Sequence, residues 1–234
     1  MLTITDMYKK QAAEKAVEFL RDGMIVGLGT GTTTRFALQK ISEFINQGKW
    51  RRIIGIPSSR QTSQLAKRLG IPLGELNDHP LIDITIDGAD EIDPQLNMIK
   101  GGGGALLREK IIIQASKRVI IIVDESKLSK RLGKKFPVPV EVLPFCWKCE
   151  AQFLESIHAR VILRQAKTGK VFKTDQNNYI LDAYFGPIKQ PEDLVKKLSQ
   201  RAGILGHGIF LELATDVIVA GKKGISHHRR YDLL

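Results

Sequence analysis

The residue types best suited to chemistry crowd into Lys100-Gly101-Gly102-Gly103-Gly104-Ala105-Leu106-Leu107-Arg108-Glu109-Lys110. Four glycines lead straight into an apolar helical pattern beginning near Ala105. Without Cβ atoms, the backbone N–H groups of such a turn can come close to a ligand at a helix N-terminus, which suits an anion. At helical spacing Glu109 shares a face with Leu106, Ile112 and Ile113, while Arg108 and Lys110 swing about 100° to either side. A carboxylate on an apolar stripe is desolvated, and its pKa is pushed toward neutrality, as a general base requires. Lys100, close by in sequence, can answer developing negative charge. The competing reading is a glycine-rich loop with a glutamate at its rim.

Three further motifs carry chemistry. Gly29-Thr30-Gly31-Thr32-Thr33-Thr34 offers hydroxyls and N–H groups at a helix start, which suits one phosphate on a small molecule; an ordinary tight turn with N-capping threonines is the alternative. The dinucleotide pattern G-x-G-x-x-G fails here, because Thr32 occupies the third glycine's place and the second strand ends in Pro57-Ser58 rather than an acid. A P-loop lacks its Gly-Lys-Ser/Thr. Asp87-Gly88-Ala89-Asp90-Glu91 sets two carboxylates in one turn, able to exchange protons with sugar hydroxyls or to take magnesium, although Lys100 already supplies positive charge. Glu91 and Asp93 read as solvated. The fourth motif is Asp124-Glu125-Ser126-Lys127. The five histidines, His79, His158, His207, His227 and His228, show neither zinc-ligand spacing nor a nucleophilic serine partner, and read as surface or packing residues.

Positioning these motifs requires strands that end where they begin. Residues 5–21 have the spacing of a first helix, and Met24–Leu28, Ile53–Ile56, Leu81–Ile86 and Val119–Val123 read as strands alternating with helices. Short apolar runs without period-two alternation indicate a parallel sheet covered on both faces, whose ligands bind beyond the strands' carboxyl ends. All four motifs fall there. Phe136-Pro137-Val138-Pro139-Val140 reads as an extended link. A helix at 148–158, a strand at 161–166, further strands around the turn Asp175–Asn178, a helix from Pro191 to Gly203 and a strand at 208–213 then make a small α+β insertion before Val217–Ala220 returns to the main sheet. The expected class is α/β, a doubly wound, mostly parallel Rossmann-like sheet over 1–132 and 207–234, with an inserted ferredoxin-like α+β domain over 133–206.

Composition narrows the partners. The chain has 234 residues, 43% hydrophobic and 26% charged, and no apolar run approaches the ~20 residues that cross a bilayer. A cytoplasmic location is the default expectation. The net charge of +11 comes from scattered basic residues; the one local cluster, Lys222, Lys223, His227, His228, Arg229 and Arg230, reads as a solvated tail, and no nucleic-acid-binding motif accompanies it. Cys146 and Cys149, the only cysteines, follow Pro144 at an expected domain junction and read as ordinary thiols.

Taken together, the four motifs resemble the type A ribose-5-phosphate isomerase family, in order and spacing, over nearly the whole chain and including Phe136–Val142. The resemblance implies interconversion of D-ribose 5-phosphate and D-ribulose 5-phosphate in the non-oxidative pentose phosphate pathway, without cofactor or metal, by a cytosolic homodimer or homotetramer. It implies that Glu109 is the base, passing a proton between C2 and C1 through an enediolate. Lys100 and the N–H groups of Gly101, Gly102 and Gly103 would stabilise the enediolate oxygens, Asp87 would assist ring opening and Asp90 would hold hydroxyls. Thr30, Gly31, Thr32, Thr33, Gly88, Ala89 and Lys127 would contact the substrate, with Lys9 or Lys10 reaching the phosphate. Two alternatives stand beside it. A coenzyme A transferase of related architecture would use a glutamate as nucleophile. A sugar-phosphate-sensing regulatory domain would keep the phosphate loop without needing Glu109, and would be expected to carry a helix-turn-helix that residues 1–23 do not show.

Overall fold

The computed structural model describes residues 2–233; Met1 and Leu234 lie outside the described residues. In chain order the elements are α1 (Ile4–Val17), β1 (Ile25–Leu28), α2 (Thr32–Asn46), β2 (Ile54–Pro57), α3 (Arg60–Arg68), β3 (Ile82–Asp87), β4 (Glu91–Ile92), β5 (Met98–Ile99), α4 (Leu106–Gln114) and β6 (Ser116–Asp124). There follow β7 (Val138–Val142), α5 (Trp147–Ser156), β8 (Arg160–Leu163), β9 (Tyr179–Tyr184), α6 (Pro191–Ser199), β10 (Ile204–His207), β11 (Ile209–Phe210), β12 (Asp216–Gly221) and β13 (Gly224–Arg229). They fall into two compact units: Met1–Ala89 with Arg108–Lys127 and Glu212–Leu234, and Asp90–Leu107 with Leu128–Leu211. The second unit is thus wider than 133–206. Besides 128–132 and 207–211 it takes in Asp90–Leu107, bound in by the pairing of β5 with β4 and β11.

The first unit is a six-stranded sheet in the order β13-β12-β6-β3-β1-β2, parallel throughout except for the antiparallel pair β12–β13. Its inner strands β1, β3, β6 and β12 are largely buried, as expected where helices cover both faces of a parallel sheet, while the edge strand β13 is exposed. Ala12, Ala13 and Ala16 of α1 and Phe36, Ala37 and Ile41 of α2 pack with Ile84 and Ile86 of β3 and Ile120 and Ile122 of β6. The small alanines let α1 lie close. Thr3 caps α1 by accepting the Asp6 N–H, and Ser59 caps α3 by accepting the Thr62 N–H.

The second unit holds an antiparallel sheet in the order β10-β7-β9-β8, connected β7-α5-β8-β9-α6-β10, which is the ferredoxin-like arrangement expected. Leu154 of α5 and Leu194 and Leu198 of α6 pack on Val140, Val142, Leu181 and Ala183. Pro191 begins α6 with Glu192 and Asp193 in its first turn, a favourable sign at a helix N-terminus. A three-stranded sheet, β11-β5-β4, completes the unit.

Several local expectations give way. The supposed link at 136–140 runs into β7, whose five residues are all buried. Proline is normally kept out of a central strand, but Pro139 lies past the last β10 pair, Val140–His207, so no ladder donor is missing there. The supposed basic tail is β13, paired with β12 from Gly224 to Arg229, with His227 Nε2 2.7 Å from Asp216 Oδ1. Glu91 and Asp93 are buried rather than solvated: Glu91 accepts N–H bonds from Gly133, Lys135 and Phe136, and Asp93 from Gln95 and Asn97. The strand foreseen over 208–213 is reduced to the two residues of β11, Ile209–Phe210, which pair with β5, while the longer strand beside β7 is β10, just before that range. Cys146 stands at the start of α5 inside the second unit rather than at a junction, without a side-chain capping bond, and neither cysteine is in a disulfide.

Candidate active site

The chain runs outward from β1 to β2 and then returns to place β3 on the other side of β1, so the order reverses between β1 and β3. Reversals of this kind open a crevice beyond the strands' carboxyl ends. Two of the predicted motifs meet there. Gly29 donates its N–H to Ile86 O (3.0 Å), Thr30 donates its N–H to Asp87 Oδ1 (3.1 Å), and the same oxygen accepts the Gly88 N–H (2.7 Å). Asp87 is 1% exposed. A Cβ on Gly29 would overlap the Asp87 carboxylate, so glycine at 29 is a condition for that approach.

Thr30 is anchored by hydroxyls that sequence reasoning passed over. Its Oγ1 donates to Ser59 Oγ (2.8 Å), Ser59 Oγ donates to Thr62 Oγ1 (3.0 Å), and Thr62 Oγ1 donates to Gly29 O (2.9 Å). Ser58 Oγ, 2.8 Å from Thr30 Oγ1, is then left to donate to it. The signal was present as Ser58-Ser59 at the end of the second strand. Beyond this anchor Gly31 adopts φ +131°, open only to glycine at low cost, and begins α2 with no side-chain cap and no acidic residue in the first turn. Gly31 and Thr32 are exposed and Thr33 is half-buried. An exposed helix N-terminus of that kind favours an anion. Lys9 is half-buried and Lys10 exposed, each in a loose ion pair on α1, with Asp6 and Glu14 at 3.8 Å.

Glu109 occupies the first turn of α4 and is 3% exposed. Leu106, Ile112 and Ile113 are likewise buried, so the apolar stripe with a carboxylate in it exists as spacing implied. Burial also pulls the neighbouring Lys110 ammonium down to about 7. At the end of β6, Asp124 is buried and accepts the Ser126 N–H (3.0 Å), and the single helical turn Glu125–Lys127 leaves Lys127 half-exposed.

The second unit holds Asp90, Lys100 and the glycine turn. Lys100 is 2% exposed, gives its N–H to Gly208 O (2.9 Å), and holds its ammonium 5.8 Å from the Phe210 ring centroid. Gly101 and Gly104 both have positive φ, +98° and +81°, and the Gly104 N–H closes the turn on Gly101 O (2.9 Å). Asp90 Oδ2 accepts the Gly102 N–H at 2.7 Å, which commits that donor. Gly102 and Gly103 are exposed.

A doubly wound sheet with an anion-accepting turn at its strand reversal, and a buried carboxylate in the first turn of a crossover helix, defines an α/β enzyme for a small anionic ligand. The comparisons narrow that class: the chain belongs to the ribose 5-phosphate isomerase A (phosphoriboisomerase A) family, whose model matches residues 54–224. It is 56% identical to ribose-5-phosphate isomerase A of Desulfatibacillum aliphaticivorans over 96% of this chain and 97% of that one. It is 47% identical to the probable ribose-5-phosphate isomerase 2 of Arabidopsis thaliana over 94% of this chain and 85% of that one. Among solved structures, a D-ribose-5-phosphate isomerase in complex with phospho-erythronic acid superposes with a TM-score of 0.94 at 38% identity, covering 97% and 100% of the two chains. Ribose 5-phosphate isomerase from Plasmodium falciparum gives 0.92 at 38% identity, covering 96% and 98%.

Proposed function

We infer that the protein is an aldose–ketose isomerase interconverting D-ribose 5-phosphate and D-ribulose 5-phosphate in the non-oxidative pentose phosphate pathway. The observation that carries this is the family match, with relatives of that name aligned over nearly the whole chain. Neither the coenzyme A transferase nor the sugar-phosphate sensor has comparable support.

In this reading Glu109 takes the proton from C2 of the open-chain aldose and delivers it to C1, while the O2 proton passes to O1, so the aldehyde becomes a hydroxymethyl group and C2 a ketone. Lys100 and the Gly101–Gly103 turn balance the charge on the enediolate oxygens, the kind of interaction usually worth most in such reactions. Asp87 assists ring opening, and Asp90, Gly88 and Ala89 hold hydroxyls. The exposed start of α2, with Gly31, Thr32 and Thr33, receives the phosphate, Thr30 fixing the turn from below; Lys127 and Lys9 or Lys10 add positive charge. Burial of Glu109 and the uncapped N-terminus of α2 support these roles.

The reading includes a cytoplasmic homodimer or homotetramer acting without cofactor, on the strength of the family resemblance; among the described residues no helix is long and apolar enough to cross a membrane. The test is purified protein, treated with chelator, given ribose 5-phosphate and followed for ketose. Ketose formation is expected. Its absence contradicts the assignment, and recovery on adding magnesium would place a metal in the reaction.

A further inference from the structure

We propose that Arg164 and Asp182 are positioning residues for the glycine turn, fixing its peptide groups so that the Gly103 N–H is aimed at the enediolate; the proposal rests on the reaction assigned above. Neither residue stands in a motif that drew attention in the sequence, and both belong to the ferredoxin-like sheet. Arg164 lies just past β8, tied by its own N–H to Ile180 O (2.9 Å) and by its carbonyl to the Phe172 N–H (2.9 Å). Asp182 on β9 takes one edge of the guanidinium, with Nε donating to Oδ2 at 2.9 Å and Nη2 donating to Oδ1. The other edge faces the turn: Nη1 donates to Gly101 O at 2.8 Å and to Gly102 O at 3.2 Å. Both side chains are largely buried, at 13% and 15% exposure.

The consequence follows from peptide planarity. The carbonyl of one residue and the N–H of the next belong to one rigid plane and point in opposite directions. Holding Gly101 C=O on Arg164 therefore turns the Gly102 N–H away from it, and that N–H is found on Asp90 Oδ2 at 2.7 Å. Holding Gly102 C=O likewise turns the Gly103 N–H away from Arg164. Successive glycines would otherwise rotate their peptide planes at little cost. A guanidinium can do this because its fork is planar and bidentate on Asp182 while a further N–H reaches the carbonyls; an ammonium cannot fill both edges.

The experiment compares wild type with Arg164→Met, Arg164→Lys and Asp182→Asn in three readouts: kcat, KM for ribose 5-phosphate, and affinity for phospho-erythronic acid, whose carboxylate stands in for the enediolate oxygens. Misaligning a donor by about 1 Å costs on the order of 100-fold. For Arg164→Met, a kcat reduced by roughly that factor is expected, with KM moved less than about 3-fold and affinity for phospho-erythronic acid falling alongside kcat. Arg164→Lys is expected to behave like Arg164→Met, and it carries the test if the methionine variant fails to fold. Guanidinium added to Arg164→Ala should restore part of the lost turnover. Unchanged kcat in folded Arg164 variants overturns the positioning role, as does a loss expressed equally in KM. A wild-type protein that forms no ketose overturns the reaction itself, so the two failures are told apart.

Discussion

Asp87 is held by two backbone N–H groups and by the absence of a side chain at Gly29. A Cβ at 29 would overlap its carboxylate, so Gly29→Ala must displace either Asp87 or the turn before α2. Steady-state kinetics of Gly29→Ala are expected to show kcat lowered on the order of 100-fold, the penalty for misplacing a reacting group by about 1 Å. Wild-type kinetics would remove Asp87 from the chemistry. At this scale the sequence was legible where placement follows from local pattern: the burial of Glu109 on an apolar stripe and of Asp87 at a strand end needed only periodicity and a strand boundary. Arg164, Asp182 and Thr62 were not legible, because each acts on a residue that is distant in sequence, and Ser58-Ser59 showed only as hydroxyls at a strand end, without their partner Thr30. Glu91 misled in the other direction: a carboxylate beside Asp90 looked solvated, and only the fold reveals the three N–H groups that bond it.

At the scale of elements, β7 illustrates how a buried acid can be tolerated and what it costs. Glu141 lies within the strand, with Oε1 accepting from Thr174 Oγ1 (2.8 Å) and Asn178 Nδ2 (2.9 Å), while its Oε2 is buried without a hydrogen-bond partner among the described residues. Burial raises its carboxyl above the ordinary 4.5, the bonds from Asn178 and Thr174 oppose the rise, and Asp175 adds to it. A folded-state pKa above the unfolded one means that this group's contribution is fully present below pH 4.5 and is lost as pH rises through the folded value. Thermal melts of Glu141→Gln, whose amide oxygen can accept the same two bonds, should show a higher Tm than wild type at pH 8 and no advantage at pH 4. A lower Tm at pH 8 would contradict this. The strand itself was hidden in the sequence by Pro137 and Pro139, since prolines report the lack of a donor but not where a neighbouring strand stops. The helices were clearer: α1, α5 and α6 were expected near their observed positions, and ends differ by a few residues because caps such as Thr3 are set by side-chain bonds rather than by periodicity.

For the whole molecule, strand and helix alternation was enough to read a parallel sheet with an α+β insertion, because apolar runs of buried strands differ in kind from alternating ones. The last strand escaped, since β13 is an exposed edge with a polar sequence and is identified only by its partner. Its anchor bears on global stability. Asp216 pairs through both oxygens with Arg118 on β6 (2.8 and 2.9 Å) and with His227 on β13 (2.7 Å). Burial alone would raise its carboxyl, but the bonds from Arg118, Thr215 and His227 prevail and hold it at about 2. A depressed folded value gives stability that is present above 3.8 and lost as pH falls toward 2. Asp216→Asn is expected to cost about 2 kcal/mol in urea unfolding at pH 7, the range of hydrogen bonds to a charged group whose partner Arg118 is 35% exposed, and to flatten the loss of stability below pH 4. A variant as stable as wild type would show that the β6–β12–β13 junction does not depend on this pair.

The central claim is that this chain moves a proton between C2 and C1 with Glu109 as the base. The most direct measurement is turnover of ribose 5-phosphate by Glu109→Gln, followed by NMR, together with a titration of the same variant with the sugar phosphate. Turnover should fall at least about 1,000-fold, toward the upper range for loss of a general base, while affinity for the sugar phosphate stays within a few-fold of wild type. Turnover near the wild-type rate in the glutamine variant would contradict the account.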